Sequence, residues 1–229
     1  MIYTKIIIHR TNLNKIFVLK IIFLKTLLNC GIFFKINNIM KKGLLIILSG
    51  PSGVGKGTVR KYIMKRNVLD LTFSMSMTTR EPRATETNGV EYYFVSREEF
   101  QRNIDNDNFL EWAEFVGNRY GTPKNYVEEL RNQGKNVILE IEINGAEQVL
   151  KKVKDDRVIS FFLKPPSLKQ LEERIRKRKS ENEETIQKRL NKGKAEMEKA
   201  KNYDFIILND RIKRAGEEII SIIKQFDAQ

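Results

Sequence analysis

Along this chain the apolar positions gather into short continuous runs, separated by longer stretches where they recur every three or four residues. Leu44-Leu45-Ile46-Ile47-Leu48 is one such run, and it opens directly into Ser49-Gly50-Pro51-Ser52-Gly53. A segment apolar at every position suits a strand buried on both faces. Similar runs fall at 137–139, 158–163 and 205–208. Helical spacing occupies about 56–66, 123–133, 144–153, 167–200 and 212–226 between or after them. Strands alternating with helices predict an α/β domain built on a parallel sheet with flanking helices. Residues 73–122 break the rhythm. They are rich in Thr, Tyr, Phe, Gly and Asn with short strand-like pieces, and read as an inserted mixed-β lobe.

The first 39 residues stand apart. Ile, Phe, Leu, Asn and Lys fill 29 of them, and Asp and Glu are absent. Lys20, Lys25 and Asn29 interrupt the most apolar stretch, which argues against a membrane span of about 20 residues. The lysines define no polar helix face, and a transit peptide would be richer in Ser and Arg. Met40-Lys41-Lys42-Gly43 reads like a natural start. The expectation is an upstream extension outside a working domain of 40–229, with targeting or membrane attachment as the alternative. That places the protein in the cytoplasm, or in an organelle on the alternative.

Charge follows the same division. The chain has 42 Lys+Arg and 29 Asp+Glu, a net charge of +13, of which +6 lies in the first 39 residues. The only His (His9) and only Cys (Cys30) also lie there. The remainder can hold no thiol nucleophile, no imidazole base and no Cys/His metal site. Its chemistry rests on carboxylates, Lys/Arg, hydroxyls and backbone.

Gly50-Pro51-Ser52-Gly53-Val54-Gly55-Lys56 matches G-x-x-x-x-G-K, between a buried-looking strand and a helical segment. The glycines let backbone N–H groups converge on phosphate oxygens, the helix N-terminus adds its dipole, and the Lys reaches the terminal phosphates. Gly57 stands where a Ser or Thr usually holds Mg²⁺, and Thr58 follows. Whether Thr58 meets the metal, a phosphate or neither stays open. In Thr78-Thr79-Arg80-Glu81-Pro82-Arg83 two guanidiniums can fork onto one phosphate.

With Asn88-Gly89-Val90-Glu91-Tyr92, Phe109-Leu110-Glu111-Trp112-Ala113 and Gly117-Asn118-Arg119-Tyr120-Gly121 in order behind these motifs, the chain from residue 40 onward resembles guanylate kinase, a P-loop nucleoside monophosphate kinase. The resemblance implies a core of 40–72, 123–166 and 196–229, a GMP-binding lobe of 73–122 and a helical lid of 167–195. It implies that Arg80, Arg83, Tyr92 and Tyr120 hold the acceptor phosphate. It implies that Ser76, Glu111 and Thr122 read guanine. The chemistry agrees, because guanine presents N1–H and N2–H₂ side by side to one carboxylate, whereas adenine offers an acceptor at N1.

Glu140 and Glu142 are read as two carboxylates on one face of a strand end, where open α/β sheets bind ligands. Glu142 is expected near the acceptor base, and Glu140, like Thr58, as a Mg²⁺ contact through water. Asn144 replaces the usual family Gln. In the lid, Arg174, Arg178 and Arg189 are expected to close over the donor phosphates, with a capping box at Ser180-Glu181-Asn182-Glu183 opening a second helix. Asn209 is expected against the donor adenine. Together with residues 50–58 these form the ATP site.

The expected activity is ATP-dependent phosphorylation of GMP, and dGMP, with Mg²⁺ as cofactor, Lys56, Arg80, Arg178 and Arg189 as catalytic cations, and no nucleic-acid partner. Three alternatives remain: a silent protein-binding relative, which would lack the loop or lid arginines; a nucleic-acid binder, suggested by the basic balance; and an AMP kinase, opposed by Glu111. The sequence carries no signal for oligomeric state.

Overall fold

The computed structural model describes residues 41–115, 117–177 and 183–228, and all but Lys41 of these belong to one compact unit, Lys42–Gln229. The extension, Arg178 and the capping box at Ser180 lie outside the described residues.

The central sheet is parallel throughout, in the order β2 (Leu71–Phe73), β7 (Asn136–Glu140), β1 (Leu45–Ser49), β8 (Val158–Lys164), β9 (Phe205–Leu208). Every residue of β1 is buried. Leu44, Ile46 and Leu48 pack with Val59 and Ile63 of α1 (Lys56–Lys65) and with Ala215, Ile219 and Ile223 of α7 (Ile212–Asp227). Leu45 and Ile47 point the other way, onto Val127 and Leu130 of α3 (Lys124–Asn132) and Ile143, Ala146 and Val149 of α4 (Ile143–Lys152). Alternate side chains of one strand therefore fill two cores, which is why β1 is apolar at every position. Each such Leu or Ile withdrawn from water contributes about 1.5–3 kcal/mol.

The chain passes from one side of β1 to the other between β7 and β8, so the carboxyl ends of these strands open onto a crevice. The G-x-x-x-x-G-K loop sits there, between β1 and α1.

A second, mixed sheet has the order β4 (Tyr93–Phe94), β3 (Met77–Thr78), β6 (Asn118–Pro123), β5 (Phe109–Phe115), with β3–β4 parallel and the other pairs antiparallel. Between β4 and β5 lies α2 (Arg97–Asp105), which the sequence reading did not expect. Ser96 accepts from Glu99 N at 3.1 Å and Phe100 is buried. The Ser96-Arg97-Glu98-Glu99 pattern that announces this helix is plain in the chain.

Three further departures concern boundaries. The fifth strand β2 is only three residues long, too short for its periodicity to register, and its Phe73 belongs to the central sheet. The stretch expected over 167–200 holds α5 (Leu168–Arg176) and, in line with the second helix expected there, α6 (Glu183–Glu198), but it ends in a 3-10 turn, Lys199–Asn202, that the spacing does not show. β7 ends at Glu140, so Glu142 is not a strand residue; it is the N-cap position of α4.

Candidate active site

Gly55 is the residue before α1, with φ 102°, a left-handed conformation that glycine adopts without strain. The loop curls so that Lys56 Nζ donates to Gly50 O at 2.7 Å. Burial lowers the Lys56 pKa, while Glu142, Glu140 and Glu196 act in the opposite direction. An ammonium held among backbone carbonyls and acids at a helix N-terminus is arranged to receive an anion.

A cavity of about 520 Å³ runs from this loop into the mixed sheet. Ser52, Gly53, Gly55, Lys56 and Gly57 line one end; Ser76, Tyr92, Glu111 and Tyr120 line the other; Glu140, Glu142, Arg189 and Lys192 lie between. Of the residues expected to hold the acceptor, Ser76, Tyr92, Glu111, Tyr120 and Glu142 thus share one space with the phosphate loop.

Glu111 is 7% exposed and accepts from Thr122 Oγ at 2.6 Å, the two residues being register partners on β5 and β6. Burial pushes its pKa up to about 7, against the opposing effect of the Thr122 hydrogen bonds. Its second oxygen faces Gly145 of α4, where an added Cβ would lie 2.6 Å from Glu111 Oε2. Only glycine leaves room there. Gln148, one turn on, donates from Nε2 to Trp112 O at 3.0 Å and accepts from Trp112 N at 3.2 Å. The amide thereby completes the backbone of β5 beside Glu111 and fixes α4 against that strand.

Arg80 and Arg83 are gathered differently. Arg80 Nη2 donates to both oxygens of Glu86, at 3.0 and 2.8 Å, and its guanidinium stands 5.7 Å from the Tyr92 ring. The Arg83 backbone N–H also donates to Glu86, at 2.9 Å, but the Arg83 side chain is 75% exposed. Neither arginine lines the cavity; Glu86 holds Arg80, which stands beside the Tyr92 ring, and bonds the Arg83 backbone. Tyr92 and Tyr120 meet edge to face at 6.0 Å.

Beside the loop, Arg60 Nε donates to Glu140 Oε2 at 2.7 Å and its guanidinium lies 4.0 Å over the Phe73 ring. Glu142 lies 3.9 Å from Lys56 and 2.9 Å from Lys192. Burial raises the Glu142 pKa, yet Lys56 and Lys192 outweigh it and hold the carboxyl below the usual range.

A second cavity, of about 500 Å³, is lined by Val54, Thr58, Arg174, Asn209, Asp210 and Arg211. Arg174 donates to Val54 O at 3.0 Å and Asn209 O at 2.8 Å, and Asn209 Nδ2 donates to Val54 O at 2.8 Å. Asn209 Oδ1 is buried with no hydrogen-bond partner, so it presents an acceptor. Thr58 lines this second cavity and Glu140 the first, and Gly53 and Gly55 line both.

Among the described residues no group of three or more His, Cys, Asp or Glu is placed to hold a metal ion. Glu140, paired with Arg60, lies beside Gly57 of the loop in the first cavity.

Arg60, Glu86, Gln148, Gly145 and Lys192 were not assigned roles from the sequence. Each acts through a partner more than two residues away, so spacing alone gave no sign of it.

A family model described as guanylate kinase matches residues 42–226. A guanylate kinase of Mesoplasma florum is 50% identical over 182 residues, covering 80% of this chain and 61% of the relative. That of Latilactobacillus sakei is 48% identical over 183 residues, covering 80% of this chain and 89% of the relative. The chain thus spans about three fifths of the length of some curated relatives and nearly all of others. A crystal structure of guanylate kinase from Anaplasma phagocytophilum superposes with a TM-score of 0.64 at 31% identity, covering 81% of this chain and 86% of that one. The phosphate loop, the mixed sheet and the buried Glu111 all lie inside the matched span, and the chain belongs to the guanylate kinase family.

Proposed function

We propose that this protein transfers the γ-phosphoryl group of ATP to GMP, and to dGMP, giving GDP or dGDP and ADP. The observation that carries the reading is the single cavity with a buried carboxylate at one end and the Lys56 loop at the other. Ionised, Glu111 accepts the paired N–H groups of guanine, with Ser76 and Thr122 hydroxyls beside it. The guanylate kinases that resemble this chain support the same substrates.

The reaction asks for alignment and charge, and these side chains supply both. The acceptor phosphate is already ionised near pH 7, so no general base is required, in keeping with a domain that has no His. Lys56, Arg189 and Arg178 neutralise the transferring group, while Arg80 and Arg83 hold the acceptor against repulsion. Arg174 and Asn209 receive the donor base and its flanking phosphates in the second cavity. Mg²⁺ would be held chiefly by the triphosphate, with Glu140 and Thr58 as contacts through water, and would supply neutralisation of the phosphate charge. The reaction is placed in the cytoplasm, where nucleotide substrates are found.

ADP release measured with GMP, dGMP, AMP, CMP and UMP in turn tests this. Turnover is expected with GMP and dGMP and to be at least about a hundredfold lower with AMP. No turnover with GMP in the presence of Mg²⁺ sinks the reading.

A further inference from the structure

Glu142 stands between two ammonium groups. One of its oxygens is 3.9 Å from Lys56 Nζ and the other 2.9 Å from Lys192 Nζ. Allowing for the width of a carboxylate, the two nitrogens are no more than about 9 Å apart. Two cations bonded to different oxygens of one phosphoryl group, at charge-assisted distances of about 2.8 Å, stand up to about 8 Å apart. Lys192 is half exposed on a flexible four-carbon stem, so a rotation covers the difference.

Two more observations favour a ligand over a surface pair. Lys192 lies three residues after Arg189 on α6, on the same helix face, and both line the large cavity. Lys192 also pairs with Glu196, four residues on, but at the longer distance of 3.6 Å. Its shorter contact, at 2.9 Å, is the one across to Glu142 at the start of α4, in the cavity that the phosphate loop also lines. The charge balance makes the reach consequential. The lining carries the carboxylates of Glu111, Glu114, Glu140 and Glu142 against the cations Lys56, Arg189 and Lys192. A triphosphate entering that space adds several negative charges, and each available cation counts.

Resting on the phosphotransferase reading of the site, we propose that Lys192 is a direct ligand of the transferred phosphoryl group. It leaves Glu142 for the γ-phosphate of a nucleoside triphosphate laid along the 50–57 loop, gripping it from the lid side while Lys56 grips it from below. ADP, which lacks that group, gains nothing from Lys192.

The test is equilibrium binding of ATP and of ADP, each with Mg²⁺, to the full chain and to Lys192→Met, Lys192→Arg and the double variant Lys192→Met/Glu142→Gln. Lys192→Met is expected to weaken ATP at least about tenfold, the loss of one charge-assisted hydrogen bond, and ADP less than about twofold. Lys192→Arg keeps most of the ATP affinity. Equal shifts for ATP and ADP, or no shift, overturn the proposal. Recovery of ATP binding in the double variant also overturns it, because Lys192 would then act only by neutralising Glu142. A parent chain that binds ATP yet releases no ADP with GMP defeats the proposed function while leaving this comparison intact; a parent that binds no ATP defeats both.

Discussion

Glu111 shows how one residue's setting fixes both its chemistry and its cost. With its pKa raised to about 7 from an ordinary 4.5, the folded state holds a proton that the unfolded chain has released between those values. Stability contributed at this position is therefore greatest below about pH 4.5 and falls as pH rises to 7, by on the order of 3 kcal/mol. Glu111→Gln should melt higher than the parent at pH 8 and at about the same temperature at pH 4.5. Guanine, by contrast, needs the ionised form. The KM for GMP should rise as pH is lowered from 8 to 6 while the KM for ATP changes little; a flat GMP profile would remove the ionised Glu111 from the account. Glu111→Ala should cut GMP turnover at least about a hundredfold. The residue's candidacy was readable from its motif, but its burial was not, because that depends on Gly145 and Thr122 arriving from other elements.

At the scale of elements, α4 is the link between the central sheet and the acceptor sheet. Its first residue, Ile143, and Ala146 and Val149 enter the core beneath β1, while Gly145 and Gln148 meet β5. Gly145→Ala would drive a methyl group to 2.6 Å from Glu111 Oε2, so the carboxylate must shift. The expected result is a rise of at least about tenfold in the KM for GMP with a smaller change in that for ATP, since a misplacement of about 1 Å costs heavily in a positioned site. The runs that became β1, β7 and β8 were legible because strands buried on both faces are apolar at nearly every position, and β9, though at the sheet edge with Ile206 and Leu208 exposed, is apolar throughout. β2 and α2 were not. β2 offers three residues after a left-handed turn at Leu69 and Asp70, and α2 is short and buries only Phe100 among its nine residues.

Across the whole molecule, Arg131 ties the rear of the central sheet together. It is fully buried and bonds to Gly43 O, Arg157 O, Glu128 and Asp155. Partial burial would raise the Asp155 pKa, but Arg131 and Lys42 hold it at about 2. Its contribution is complete above the ordinary carboxylate value of 3.8 and disappears as pH falls through about 2. Arg131→Met should destabilise the fold by about 3–5 kcal/mol, read by denaturant unfolding, and should flatten the acid limb of stability between pH 4 and pH 2. Nothing in the sequence marked this arginine, because apart from Glu128 on its own helix its partners come from two distant segments, at Gly43 and at Asp155 and Arg157. The same habit of pairing runs through the active site: Arg80 with Glu86, Arg60 with Glu140, and Lys56 and Lys192 with Glu142. On the proposed reading the site works as an ion exchanger. An incoming phosphate gains only the difference between itself and the carboxylate it displaces, so a dianion can evict Glu86 from Arg80 and an uncharged guanosine cannot, however well its base fits Glu111.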